Sequence, residues 1–183
     1  MKEGIMRIIT DAAKGLQYLH DREPPVVHSG MRGDNILITD SGGAVLGGFG
    51  LTKALQNSTG NEKIPPAVMT GKTESQRWMA PEMFAEDSPV LQTPSDVWGW
   101  AMAALELISG LPPYYQNKQP HTVMLDIRMN KRPQRAKHAD FEKYALKPDE
   151  MWALLERCWA IEPADRPTID EVVIELKKMT RIK

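Results

Sequence analysis

At 183 residues the chain is long enough to bury the greater part of its apolar surface as one domain of ordinary size. Its 23 Lys and Arg stand against 24 Asp and Glu, and the resulting charge of −1 gives no electrostatic reason to expect nucleic acid or an anionic membrane as partner. The single cysteine, Cys158, excludes an internal disulfide, and residues 1–7 alternate charged and apolar groups with no signal-peptide core, so a cytoplasmic protein is expected.

Ile5, Ile9, Ala12, Leu16 and Leu19 recur at three- and four-residue spacing, which predicts an amphipathic helix over residues 2–20, ended by Pro24 and Pro25. Residues 26–28 form a short β run. Two further runs, 36–38 and 44–46, flank the turn sequence Asp40-Ser41-Gly42-Gly43 as a hairpin. Gly47-Gly48-Phe49-Gly50 then gives the backbone unusual freedom. Residues 51–77 are polar and lack periodicity, and a loop of that length in a compact domain is functional or disordered.

The stretch 94–113 is the organising element. Ser95 and Asp96 are good helix caps, Gly110, Pro112 and Pro113 are stop signals, and the residues between are apolar on every face. Such a helix either crosses a membrane or lies at the centre of a domain, and the shortness of this one, with Glu106 inside it, favours the domain centre. Downstream, a helix is expected over 121–130, a charged linker over 131–147, a helix from Pro148 to Trp159, a turn over 163–167 and a last helix capped by Thr168. Trp98, Trp100, Trp152 and Trp159 read as core, Cys158 as an inert buried thiol, and Lys131, Arg132, Arg135 and Lys137 as a solvated basic face.

Several short motifs then fall in a recognisable order. His28-Ser29-Gly30-Met31-Arg32-Gly33-Asp34-Asn35 is followed by Gly48-Phe49-Gly50, by Ala80-Pro81-Glu82, by Ser95-Asp96-Val97-Trp98 and by Arg166-Pro167. The chain resembles the C-terminal lobe of a protein kinase of the tyrosine-kinase-like, fungal-type branch, in which a catalytic loop, a D-F-G, an A-P-E and a central helix succeed one another in that order. The resemblance implies an α+β, mainly α fold over residues 1–183: a kinase-like C-terminal lobe built around a buried central helix, with short strands and a hairpin. The chain opens at what resembles an early helix of that lobe, so the Gly-rich loop and strand lysine of the N-terminal lobe are not in it.

The same resemblance assigns roles. Gly30 falls at the family's proton-acceptor position and Gly48 at its principal magnesium-ligand position, and neither has a side chain. Asn35 falls where a second magnesium ligand sits, and Arg32 where a cation meets phosphate. His28 and Phe49 belong to the framework of the site. Glu82 and Arg166 are expected to form a buried ion pair, and Asp96 to cap the central helix, to accept backbone hydrogen bonds from the catalytic loop, or to do both. Ser29 replaces an arginine that in many kinases meets a phosphorylated loop, so Ser58, Thr59, Thr70, Thr73 and Ser75 are candidate phosphoacceptors without that partner and read first as solubilising loop residues.

Loss of a general base costs about 10²–10⁴-fold in rate, and loss of a metal carboxylate adds to it. The expectation is therefore a pseudokinase acting through a protein partner, with no cofactor as written. ATP and magnesium enter only if the family's activity survives. The alternatives are an active Ser/Thr or Tyr kinase fragment and a truncated, non-functional product.

Overall fold

Thirteen of the 17 residues of the helix Thr93–Ser109 are buried, so this helix has no solvent face and the other elements pack around it. A computed structural model describes residues 1–55, 62–63, 73–85 and 89–181. In chain order the helices are α1 (Lys2–His20), α2 (Thr93–Ser109), α3 (Pro120–Arg128), α4 (Ala139–Tyr144), α5 (Pro148–Cys158) and α6 (Ile169–Thr180). The strands are β1 (Val26–Val27), β2 (Ile36–Ile38), β3 (Ala44–Leu46), β4 (Lys53–Ala54), β5 (Glu62–Lys63) and β6 (Val90–Leu91). The fold is α+β and mostly helical, as a kinase-like C-terminal lobe should be.

The apolar stripe of α1 places Met6, Ile9, Ala12, Ala13 and Leu16 against α2, α6 and β3. Trp100 Nε1 ties α2 to α1 by donating to the Ile9 carbonyl at 3.0 Å. Gly110, with φ of 70°, ends α2 as a left-handed cap, a conformation that glycine adopts without a Cβ penalty. At the other end of the chain Thr168 and Glu171 form a reciprocal capping box that starts α6.

The strands form three separate antiparallel pairs, β1 with β4, β2 with β3 and β5 with β6. The predicted hairpin is β2–β3, with Ile36 opposite Leu46, Leu37 opposite Val45 and Ile38 opposite Ala44. Its inner residue Ile36 is buried, whereas Leu37, Ile38 and Val45 are each half exposed or more. The β run ends at Val27, and His28 leaves the strand to enter the loop that follows.

Several expectations need correction. The central helix begins at Thr93 with Gln92 as its N-cap, and Pro94 sits in its first turn, where a missing N–H does no harm. Ser95 and Asp96 therefore lie inside the helix and cap nothing. The charged linker contains α4, because Phe141 is fully buried and meets the Trp152 ring edge-on at 5.1 Å. One aromatic anchor among charged residues leaves no periodicity to read, and packing supplies what the local sequence does not. Arg132 is also no part of a solvated face: its guanidinium stacks on Trp98 at 4.5 Å and donates to the Trp159 carbonyl at 2.9 Å.

The polar stretch after residue 50 holds β4, paired to β1, and a 3₁₀ segment, Thr73–Trp78. Ser58, Thr59 and Thr70 lie outside the described residues. The four tryptophans expected in the core are buried there. Cys158 is buried too, with its thiol pKa pushed up to about 12 by desolvation. No helix among the described residues is long and apolar enough to cross a membrane.

Candidate functional site

The loop after β1 is held from beneath by one carboxylate. Asp96, in the first turn of α2, accepts from His28 N at 2.8 Å and from His20 Nε2 at 2.9 Å through Oδ2, and from Ser29 N at 2.8 Å through Oδ1. Its side chain is 1% exposed. Of the two roles open to Asp96, the structure places it as an acceptor from the loop. That grip explains a strained backbone: Ser29 has φ of 63°, a left-handed conformation costing a residue with a Cβ about 1–2 kcal/mol. Sequence reasoning missed His20, since a polar residue at the last position of a helix looks like an ordinary favourable charge at its C-terminus.

His28 is fully buried and satisfied on both ring nitrogens. Gly30 N donates to Nδ1 at 3.1 Å, so Nε2 carries the proton and donates to the Gly47 carbonyl at 2.7 Å. The ring also meets Phe49 edge-on at 5.1 Å between centroids. These bonds draw residues 28–30 and 47–49 together and bring Gly30, Asn35 and Gly48 to one place.

At that place the geometry is close. Asn35 Nδ2 donates to the Gly30 carbonyl at 2.6 Å. The carboxamide so fixed covers Gly48: a Cβ there would meet Asn35 Cγ at 2.2 Å and Oδ1 at 2.3 Å. Gly48 also has φ of 74°, which a residue with a side chain adopts only under strain. Gly30 is less confined, since its Cβ would stand 3.3 Å from the Gly48 carbonyl oxygen and 3.4 Å from Asn35 Nδ2.

Arg32 bonds to none of these three residues. Its Nη2 meets Asp34 at 2.6 Å, its Nη1 meets Ser75 Oγ at 3.3 Å, and its guanidinium stacks on Trp78 at 4.8 Å. Below it Glu106 Oε2 accepts from Gly33 N at 2.9 Å and from Trp78 Nε1 at 2.9 Å, which joins the loop to the 3₁₀ segment. Burial raises the Glu106 carboxyl pKa, and the Gly33 and Trp78 bonds partly offset that rise. A Cβ on Gly33 would lie 2.8 Å from Oε2, so glycine is what lets the carboxylate approach. The sequence shows Glu106 only as a break in an apolar run.

Glu82 and Arg166 come together as expected. Two parallel bonds, Nη1 to Oε1 at 2.7 Å and Nη2 to Oε2 at 2.8 Å, make the pair bidentate. Arg166 also donates to the Ala160, Pro94 and Ile161 carbonyls, and Ser95 Oγ donates to Glu82. The pair thus locks the 3₁₀ turn Pro81–Phe84 to the start of α2 and the turn before α6.

The donor set does not suit a magnesium ion, which takes hard oxygen ligands in an octahedron. Positions 30 and 48 offer no carboxylate, and the side-chain oxygen that lies over Gly48, Asn35 Oδ1, belongs to a carboxamide. Among the described residues no group of three or more His, Cys, Asp or Glu side chains could hold a metal ion.

Comparison with known proteins fits this layout. A profile described as protein tyrosine and serine/threonine kinase matches residues 2–176. The chain is 31% identical over 172 residues to the serine/threonine-protein kinase TNNI3K of Homo sapiens, covering 93% of this chain and 19% of that protein. It is 30% identical over 163 residues to the probable serine/threonine-protein kinase drkD of Dictyostelium discoideum, covering 89% and 11%. With the serine/threonine-protein kinase VIK of Arabidopsis thaliana the identity is 29% over 174 residues, covering 92% and 36%. The chain therefore spans well under half the length of each of these relatives. Since the profile takes in nearly the whole chain, the chain belongs to the protein tyrosine and serine/threonine kinase family.

Proposed function

We propose that this chain is a pseudokinase-type domain of the tyrosine-kinase-like branch, which acts in signalling by binding a protein and not by phosphoryl transfer. One observation carries the reading: the positions that should supply the proton acceptor and the principal metal carboxylate are Gly30 and Gly48, and Asn35 is bonded to the first and covers the second. Phosphoryl transfer relies on positioned charge, and the family's charge is missing at both points. Meanwhile the framework persists: Asp96 grips the loop, His28 is satisfied, and Glu82 pairs with Arg166. A fold kept with its reacting groups removed suits recognition. Leu37 and Val45, paired across the hairpin, and Phe49 are each about half exposed and give an apolar surface beside the site, which is where we place a protein partner.

A second reading, an active kinase, draws on Asn35, Arg32 and the intact Ala80-Pro81-Glu82, and on relatives named as serine/threonine kinases. The two separate in a phosphotransfer assay with labelled ATP and magnesium, using generic protein substrates. The pseudokinase reading expects no transfer above the level of an Asn35→Ala variant. Transfer that this substitution abolishes supports the active kinase.

A further inference from the structure

Away from that site, α1, the α4–α5 connection and the end of α6 enclose a groove of about 800 Å³. Met6, Leu146 and Met179 make its floor apolar, and its long wall is the face of α1 from Glu3 to Lys14. At about 1.5 Å per residue that wall runs about 16 Å. An extended peptide would lack partners for its backbone N–H and C=O groups, because the wall is a helix whose own backbone is internally bonded. The volume lies in the range of about 300–1,000 Å³ typical of small-molecule sites.

The charges around the rim select its chemistry. Arg7, Lys14, Lys147 and Arg181 face Glu3 and Asp11, a surplus of cations. Asp11 is engaged by Arg7 at 3.9 Å and Lys14 at 3.6 Å. Lys147 leans on Glu150 at 3.5 Å, and Arg181 makes no ion pair with a described residue. We propose that the groove binds a small amphiphile, with an apolar body on Met6, Leu146 and Met179 and one anionic group held by Arg181 and Lys147. The site is independent of whether the domain transfers phosphate.

A matched pair of fluorescent probes tests this on the full chain: 1-anilinonaphthalene-8-sulfonate and its uncharged counterpart N-phenyl-1-naphthylamine. The sulfonate should bind saturably with one site per chain, and the uncharged probe at least about tenfold more weakly. Lys147→Glu with Arg181→Glu, both at the surface, should weaken the sulfonate about tenfold and leave the uncharged probe unchanged. Leu146→Glu should remove both. Leu37→Lys with Val45→Lys, which disrupts the other apolar surface, should alter neither, and circular dichroism confirms that each variant is folded. Equal affinity for the two probes, no saturable binding, or loss only in the Leu37→Lys/Val45→Lys variant would overturn the proposal.

Discussion

The Asn35 carboxamide lies across the α-carbon of Gly48, tied down by the Gly30 carbonyl, so that a Cβ at position 48 would land 2.2 Å from Asn35 Cγ. Gly48→Ala must therefore displace Asn35 and also place a methyl-bearing residue at φ of 74°. A left-handed conformation costs about 1–2 kcal/mol and a lost hydrogen bond about 1 kcal/mol, which gives a destabilisation of about 2–3 kcal/mol. Gly30→Ala, with its nearest neighbour at 3.3 Å, should cost clearly less. Urea denaturation measures both. The Gly48→Ala/Asn35→Ala double variant should be less unstable than the sum of the single ones, since both remove the same bond.

Glu106 presents one oxygen to two donors, Gly33 N and Trp78 Nε1. The amide oxygen of Glu106→Gln can accept both bonds and carries no charge to desolvate, so stability should change by less than about 1 kcal/mol. Glu106→Leu leaves both donors unsatisfied at about 1–3 kcal/mol each, and should destabilise by about 2–6 kcal/mol. Denaturation midpoints decide between these outcomes.

Arg166 has a fully buried side chain and meets Glu82 in a bidentate pair. Removing one partner strands the other charge, so Arg166→Met should cost about 3–5 kcal/mol. Replacing both, as in Glu82→Leu/Arg166→Met, should cost less than the sum of the two single changes, and a double-mutant cycle reads the difference.

His138 is 2% exposed, packs edge-on against Tyr115 and has Ser109 Oγ 3.2 Å from its Nδ1. Burial lowers its pKa from the ordinary value of 6.5, so the folded state prefers the neutral ring. Below about pH 6.5 the unfolded chain binds a proton that the fold resists. The stability contributed by the neutral ring is complete above that pH and is lost as pH falls through the folded value. Stability of the native protein should thus fall more steeply as pH drops below about 6.5 than that of His138→Gln. Parallel curves would contradict this origin.

The sequence makes the long elements legible, because periodicity over many residues survives any single exception. The stripe of α1, the all-round apolar α2 and the Thr168 cap are of that kind. The hairpin is legible from its turn residues, and the Glu82–Arg166 pair from the order of motifs. What stayed hidden depends on a partner distant in sequence. Phe141 makes α4 through Trp152, Glu106 acts through Gly33 and Trp78, and His20 acts through Asp96. The glycines at 30 and 48 could be read as missing side chains. That Asn35 fills the space over Gly48 follows only from folded geometry.

The most direct test of the central claim is thermal unfolding of the purified chain with millimolar ATP, in the presence and absence of magnesium. A ligand that binds only the folded state at a hundredfold over Kd adds about 2.7 kcal/mol of stability, and a shift of that size is readily seen. We predict no magnesium-dependent rise in Tm, for the native chain or for Asn35→Ala. A clear magnesium-dependent rise that disappears in Asn35→Ala would show a working metal site over Gly48 and would contradict the account.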